Sequence, residues 1–252
     1  HRVLGTKDTI TAMKPEDMRA YFDARYSGDN TIVALAGKLD FDAACQQIES
    51  LCGGWQSTRP GRDPKLPSVG GGDFTIKDEK VSRGYYLTLA QAPGVADEDR
   101  YPAAMLAQIL GMPDNSRLHW ALLETGLAEE AQSSYDPHDG FGEYFVYASG
   151  DPERLPEIEA VIARERDALI QSVTQDDLDR LISKVITAAT LGGERPADRM
   201  HRLGRLWLYL QKRIPLDQEI ERLKSVTLDD LRRVHDAYPL APVTSGRLIP
   251  AA

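Results

Sequence analysis

The sequence predicts an α+β fold, an antiparallel-rich mixed sheet with helices packed on it. Three observations lead there. Strand candidates gather in residues 74–147, whereas helical periodicity fills almost everything from 152 to 237, and strands followed by helices is the layered α+β pattern. A helix–turn–strand unit near the start of the chain recurs near its end. The chain is also 252 residues long, enough for a substantial core in one large domain or two small ones.

Residues 1–56 read as the end of a domain whose beginning lies elsewhere. Pro15 opens a helix, with Glu16 and Asp17 in its first turn, where the positive end of the helix dipole favours them. Met18, Tyr21, Phe22 and Arg25 follow at helical spacing. YSGDN (26–30) is turn chemistry, and TIVALA (31–36) is expected as a buried strand from its continuous apolar run. Asp40 caps a second helix that Gly53 and Gly54 stop. A lone strand between two helices needs partners to cover its edges, so the segment is expected to be a remnant. Residues 57–72 hold three prolines, four glycines and no periodicity, the composition of a linker. The triple glycine 70–72 lacks the Lys-Ser/Thr of a phosphate loop.

From residue 73 to 252 a whole domain is expected. Residues 74–77 and 84–90 are strand candidates, and 97–110 is a helix. Residues 111–151 concentrate the unusual side chains: a loop, a short helix, a glycine stop and two extended segments. Asn115 and Ser116 can cap that helix, whose apolar face is Leu118, Ala121 and Leu122, with Gly126 as its stop. Phe141, Phe145 and Tyr147 share one face of the second extended segment, Tyr144 and Val146 the other. That strand is expected to be covered on both faces. Helices follow at roughly 152–172, 174–191, 196–212, 216–224 and 227–237, two of them behind Thr-x-x-Asp capping boxes at Thr174 and Thr227. A strand near 243–249 closes the chain.

Bulk properties exclude some partners. A net charge of −9 without a basic stripe argues against nucleic acid and against anionic membrane surfaces. No run approaches the ~18–20 apolar residues that span a bilayer, so a soluble protein is expected. Cys45 and Cys52 would lie roughly 10 Å apart on one helix, too far for an unstrained disulfide. That leaves the compartment open, with cytoplasmic favoured over periplasmic.

DMRAYFDARY (17–26), then turn residues, a strand and Gly37-Lys38-Leu39, matches DLRRVHDAY (230–238), then turn residues, a strand and Gly246-Arg247-Leu248. The matched order suggests a duplicated unit. HRVLGTKDTI with DMRAYFDARYSGDNTIVALAGKLD, SRLHWALLETGLAEEAQSSY and GEYFVYASGDPERL together resemble the insulinase (pitrilysin-like, inverzincin) family of zinc metallopeptidases. The resemblance covers nearly the whole chain. It implies two homologous metallopeptidase LuxS/MPP-like domains forming half of a clamshell, often paired with a second subunit.

The family's zinc site is an H-x-x-E-H helix plus a downstream Glu, which leaves a position for an activated water. His1, His119, His138, His201 and His235 do not have that spacing. The resemblance therefore places zinc upstream of residue 1 in a full-length parent, with no catalytic residue, metal ligand or cofactor in this segment. It also implies an Arg/Tyr pair that helps hold the substrate carbonyl. By register, the tyrosine position is Glu129 and the arginine positions are Leu122 and Thr125. The residues expected to contact a peptide or unfolded polypeptide are Ser116, Arg117, Glu129 and Tyr135.

Other chemistry finds little support. There is no G-x-S-x-G elbow, and neither cysteine has the setting of a nucleophile. His138 lies between Asp136 and Asp139, and is read as part of a solvated turn because three neighbouring turn residues rarely converge on one ion. His119 reads as an ordinary helix residue, His201 as part of an amphipathic surface helix, and Glu129-Glu130 as a solvated strand edge. Two functions follow as expectations. One is a wall of the peptide-binding chamber in a zinc metalloendopeptidase. The other is a non-catalytic structural or partner subunit.

Overall fold

The computed structural model describes residues 3–61, 71–242 and 244–251. By internal contacts they divide into two compact units, one from His1–Asp63 with Arg195–Leu208, the other from Pro64–Glu194 with Tyr209–Ala252. Of the linker expected at 57–72, residues 62–70 lie outside the described residues, as do His1 and Val243.

The first unit is helical. It contains α1 (Lys7–Ala12), α2 (Pro15–Arg25) and α3 (Phe41–Cys52), which Asp40 caps by accepting the Ala43 N–H at 2.9 Å. Residues 31–36 correct the sequence expectation. They pair with no described strand, and Ile32, Val33 and Leu35 are 42–53 % exposed. An apolar run forms a buried strand only where neighbours satisfy its backbone and cover its sides, and none of the described residues does so. The Asp29 carboxylate accepts the Ser27 and Ser57 hydroxyls and the Thr58 and Arg59 N–H groups, tying 57–59 to this unit. Those bonds, from Ser27 first, hold its carboxyl well below the usual range.

The second unit is a five-stranded sheet covered by helices. Its strands are β1 (Gly72–Asp78), β2 (Gly84–Ala92), β3 (Glu130–Pro137), β4 (Gly142–Gly150) and β5 (Thr244–Pro250), in the order β1-β5-β2-β4-β3. Only β1 and β5 run parallel, so the sheet is mixed and antiparallel-rich. The helices of this unit are α4 (Arg100–Gly111), α5 (Leu155–Ser172), α6 (Gln175–Gly192), α8 (Leu216–Lys224) and α9 (Leu228–Ala237). Between α6 and α8 runs α7 (Pro196–Leu210), which groups up to Leu208 with the first unit, where Gly204 faces Ala34.

Strand alternation decides which side is core. Tyr86, Thr88 and Ala90 of β2 and Tyr144, Val146 and Ala148 of β4 are buried, together with Met105, Leu106 and Leu110 of α4, Ile158 of α5 and Leu231 and Val234 of α9. The opposite face of β4 differs from the expectation of two covered faces. Phe145 and Tyr147 are half-buried, and Leu87 beside them is 41 % exposed. The core formed with the helices joins the other face of these strands, and large apolar side chains on the outer face keep part of their surface in solvent.

Both expected capping boxes form. Thr174 and Asp177 cap α6, Thr227 and Asp230 cap α9. Gly111 ends α4 directly against the edge strand: an added Cβ would lie 2.2 Å from the Ser133 backbone nitrogen. Gly111→Ala is therefore expected to destabilise the chain by about 1–3 kcal/mol. Gly192→Ala, at a helical position with open space around it, is expected to be neutral or to stabilise by up to about 1 kcal/mol. Urea unfolding midpoints of the two variants check the contrast.

Candidate functional site

The expected short helix begins where loop 112–116 leaves α4. Asn115 takes a left-handed conformation (φ 55°), which Asn tolerates better than most residues. Ser116 is buried. Its hydroxyl donates to the Met112 carbonyl at 2.6 Å and accepts the His119 N–H at 3.2 Å, so it works as the cap. The turn then widens into π-helix over His119–Leu123, where the Glu124 N–H donates to the His119 carbonyl. Gly126 (φ 66°) ends it, as expected.

Between α4, this loop and α6 lies a cleft of about 360 Å³, within the size range of small ligand sites. Trp120, 58 % exposed, stands at it with its indole N–H donating to Asn115. Arg117 donates from Nη2 to the Ser172 carbonyl (2.8 Å) and to Asp177 (3.0 Å), while its Nε has no hydrogen-bond partner among the described residues. Arg180 pairs with Asp177 at 2.8 Å and Lys184 with Asp114 at 2.6 Å. The cleft wall thus carries three cations and two carboxylates. Burial pushes the Asp177 carboxyl up, but hydrogen bonds from Thr174, the charge of Arg117 and a hydrogen bond from Arg180 outweigh it and hold the group below its ordinary range.

The four residues expected to contact substrate do not converge. Ser116 and Arg117 frame the cleft. Glu129 precedes β3, where its carboxylate pairs with Arg83 at 2.8 Å and its N–H donates to Ser149. Tyr135 lies six residues further along, roughly 20 Å away in an extended strand. Its hydroxyl donates to the Pro93 carbonyl at 2.8 Å, and burial raises its pKa. The positions where the resemblance expects arginine are also engaged internally: Leu122 is fully buried, and the Thr125 hydroxyl donates to the Ala121 carbonyl at 2.9 Å. Among the described residues β3 pairs only with β4, so it forms an edge of the sheet.

Two histidines and a carboxylate come together nowhere among the described residues, so a zinc site of the H-x-x-E-H type does not fit them. The one group of three candidate ligands among these residues is Asp136, His138 and Glu143. Glu143 was missed in the sequence reading. Only the hairpin pairing of β3 with β4 brings it beside His138, and the turn residues 138–141 are the signal that could have found it.

The sequence model described as the peptidase M16 inactive domain matches residues 12–185. The chain belongs to the peptidase M16 family. It is 26 % identical over 243 residues to an uncharacterized zinc protease of Streptomyces coelicolor, covering 92 % of this chain and 52 % of that protein. It is 23 % identical over 248 residues to the bovine mitochondrial-processing peptidase subunit beta, covering 94 % and 50 % respectively. A protease from Helicobacter pylori has the same fold, with a TM-score of 0.83 at 18 % identity over 98 % of this chain and 62 % of that one. The chain spans about half the length of the two curated relatives. Among the described residues no helix is long and apolar enough to cross a membrane.

The lowered pKa of Asp177 has a consequence for the M16 chain. Because the folded value lies below the unfolded value of about 3.9, the group's contribution to stability is present above about pH 4 and disappears as pH falls through the folded value. Asp177→Asn is expected to be less stable than wild type at pH 7, with the gap closing as pH falls below the ordinary carboxylate range. Urea melts at several pH values measure it.

Proposed function

We propose that this chain is the C-terminal, non-zinc-binding part of an insulinase-family zinc metalloendopeptidase, in which it forms a wall of the peptide-binding chamber. The observation that carries the reading is the unpaired apolar stretch 31–36, beside α2 with its exposed Met18, Tyr21 and Phe22. These are surfaces that need partner strands, in a chain about half the length of relatives named as zinc proteases. In this reading residues 1–56 end a first α/β repeat, 57–72 link the repeats, and 73–252 form the second. The upstream half supplies those strands, the zinc, its ligands and the glutamate that activates water for attack on a peptide bond.

A peptide or unfolded polypeptide then lies along edge strand β3 as an added strand, since an edge presents unpaired backbone groups. Glu129 and Tyr135 mark the two ends of that track, and Ser116 and Arg117 hold the helical turn that packs beside it. A second subunit closes the chamber.

A second reading has an observation of its own. Leu122 is buried and Thr125 and Glu129 are engaged within the fold, so none offers the polarising contact that the family's Arg/Tyr pair supplies. That favours a non-catalytic structural or partner subunit.

The test is to express the parent chain with its upstream half, then measure zinc content and cleavage of an unstructured peptide. Zinc-dependent cleavage that is absent from the 252-residue chain supports the first reading. A parent without the H-x-x-E-H motif sinks it. A zinc-loaded parent that cuts only when a second subunit is added supports the partner requirement.

A further inference from the structure

The β3–β4 hairpin carries two carboxylates where a sheet does not tolerate them well. Asp136 and Glu143 are direct cross-strand partners, so they share a face, and like charges directly opposite each other destabilise a pair of strands. The His138 imidazole lies beside both: its Nε2 is 3.5 Å from Asp136 Oδ2 and 3.9 Å from Glu143 Oε1. Both distances exceed a good hydrogen bond, which ends near ~3.2 Å. They are closer to the spacing of ligands on one ion. Donor atoms bound at about 2.0–2.2 Å in a tetrahedral arrangement lie roughly 3.3–3.6 Å apart. All three candidate atoms fall within 4.8 Å of one another.

The hairpin tip is also held in place before any ligand arrives. Phe141 stacks on the His138 ring, with centroids 4.7 Å apart. The His138 N–H donates to the Phe141 carbonyl at 2.8 Å, and its carbonyl accepts the Val95 N–H at 2.9 Å. Gly140 turns the chain at φ 82°. Gly94 lets the neighbouring loop approach so closely that a Cβ there would meet the Phe141 nitrogen at 2.9 Å.

We propose that Asp136, His138 and Glu143 form a surface site for a divalent transition-metal cation, with water completing its coordination. One imidazole with two carboxylates suits zinc or manganese better than calcium, which takes oxygen ligands. The ion neutralises the facing carboxylates and clamps the tip of the edge hairpin. The site is separate from the zinc of the proposed peptidase half, and its test is independent of that reading.

The experiment is isothermal titration of the 252-residue chain with zinc chloride, with cobalt(II) absorption as a second probe. One equivalent is expected to bind in the micromolar range and to raise the melting temperature. His138→Ala and Glu143→Gln are each expected to weaken binding by about tenfold or more, whereas His201→Ala, on α7, leaves it unchanged. Far-ultraviolet circular dichroism confirms that the variants are folded. No stoichiometric binding, or binding that survives His138→Ala, overturns the proposal.

Discussion

Strand β5 comes last in sequence, yet it lies between β1 and β2 and is the only described partner of β1. Arg247, in the middle of β5, joins three elements: its guanidinium pairs with Asp73 of β1 and, through two nitrogens, with Glu159 of α5. The Arg247 and Glu159 side chains are largely covered, and a bidentate, shielded Arg–carboxylate pair is among the stronger polar contacts in proteins. Those bonds, to Glu159 first, raise the Arg247 pKa and keep it charged. Next to it Gly246 leaves room for the Phe74 ring, which an added Cβ would meet at 2.6 Å. The sheet is therefore completed by residues more than a hundred and fifty positions from its first strand, and its strands are the surface on which α4 and α5 rest, with α9 packed on those two helices.

Everything near the cleft depends on that platform. Helix α4 can end against Ser133 only because β3 is held by β4. The loop after α4 can turn through Asn115 only because Ser116 and Arg117 bind it back to Met112, Ser172 and Asp177. The polar residues in this stretch thus work mainly as fasteners.

Much of this was legible in the chain. Both Thr-x-x-Asp boxes, Asp40 as a cap, Pro15 at a first turn and Gly126 as a stop appear where the sequence places them. Other features were not. The π-helical turn at His119–Leu123, marked by the Glu124 N–H donating to the His119 carbonyl, has no signature in the residues that form it. The partial exposure of Phe145 and Tyr147 could not be read from aromatic content, since alternation tells which side chains share a face and not what covers it. Residues 31–36 show the same limit: the apolar run marks a surface that favours burial, but its partners are no part of the run.

By itself the sequence determined the local grammar: where helices start and stop, which residues share a face, that the class is α+β, and that the motifs belong with a metallopeptidase family. Those features depend on residues within a turn or two of each other, and short-range sterics and capping bonds decide them. The tertiary structure alone decided the strand order, the bonding of Arg117, Glu129 and Tyr135 to distant parts of the fold, and the meeting of His138 with Glu143. Each of these depends on register between segments distant in the chain, which is chosen by packing the whole core and is encoded in no single stretch.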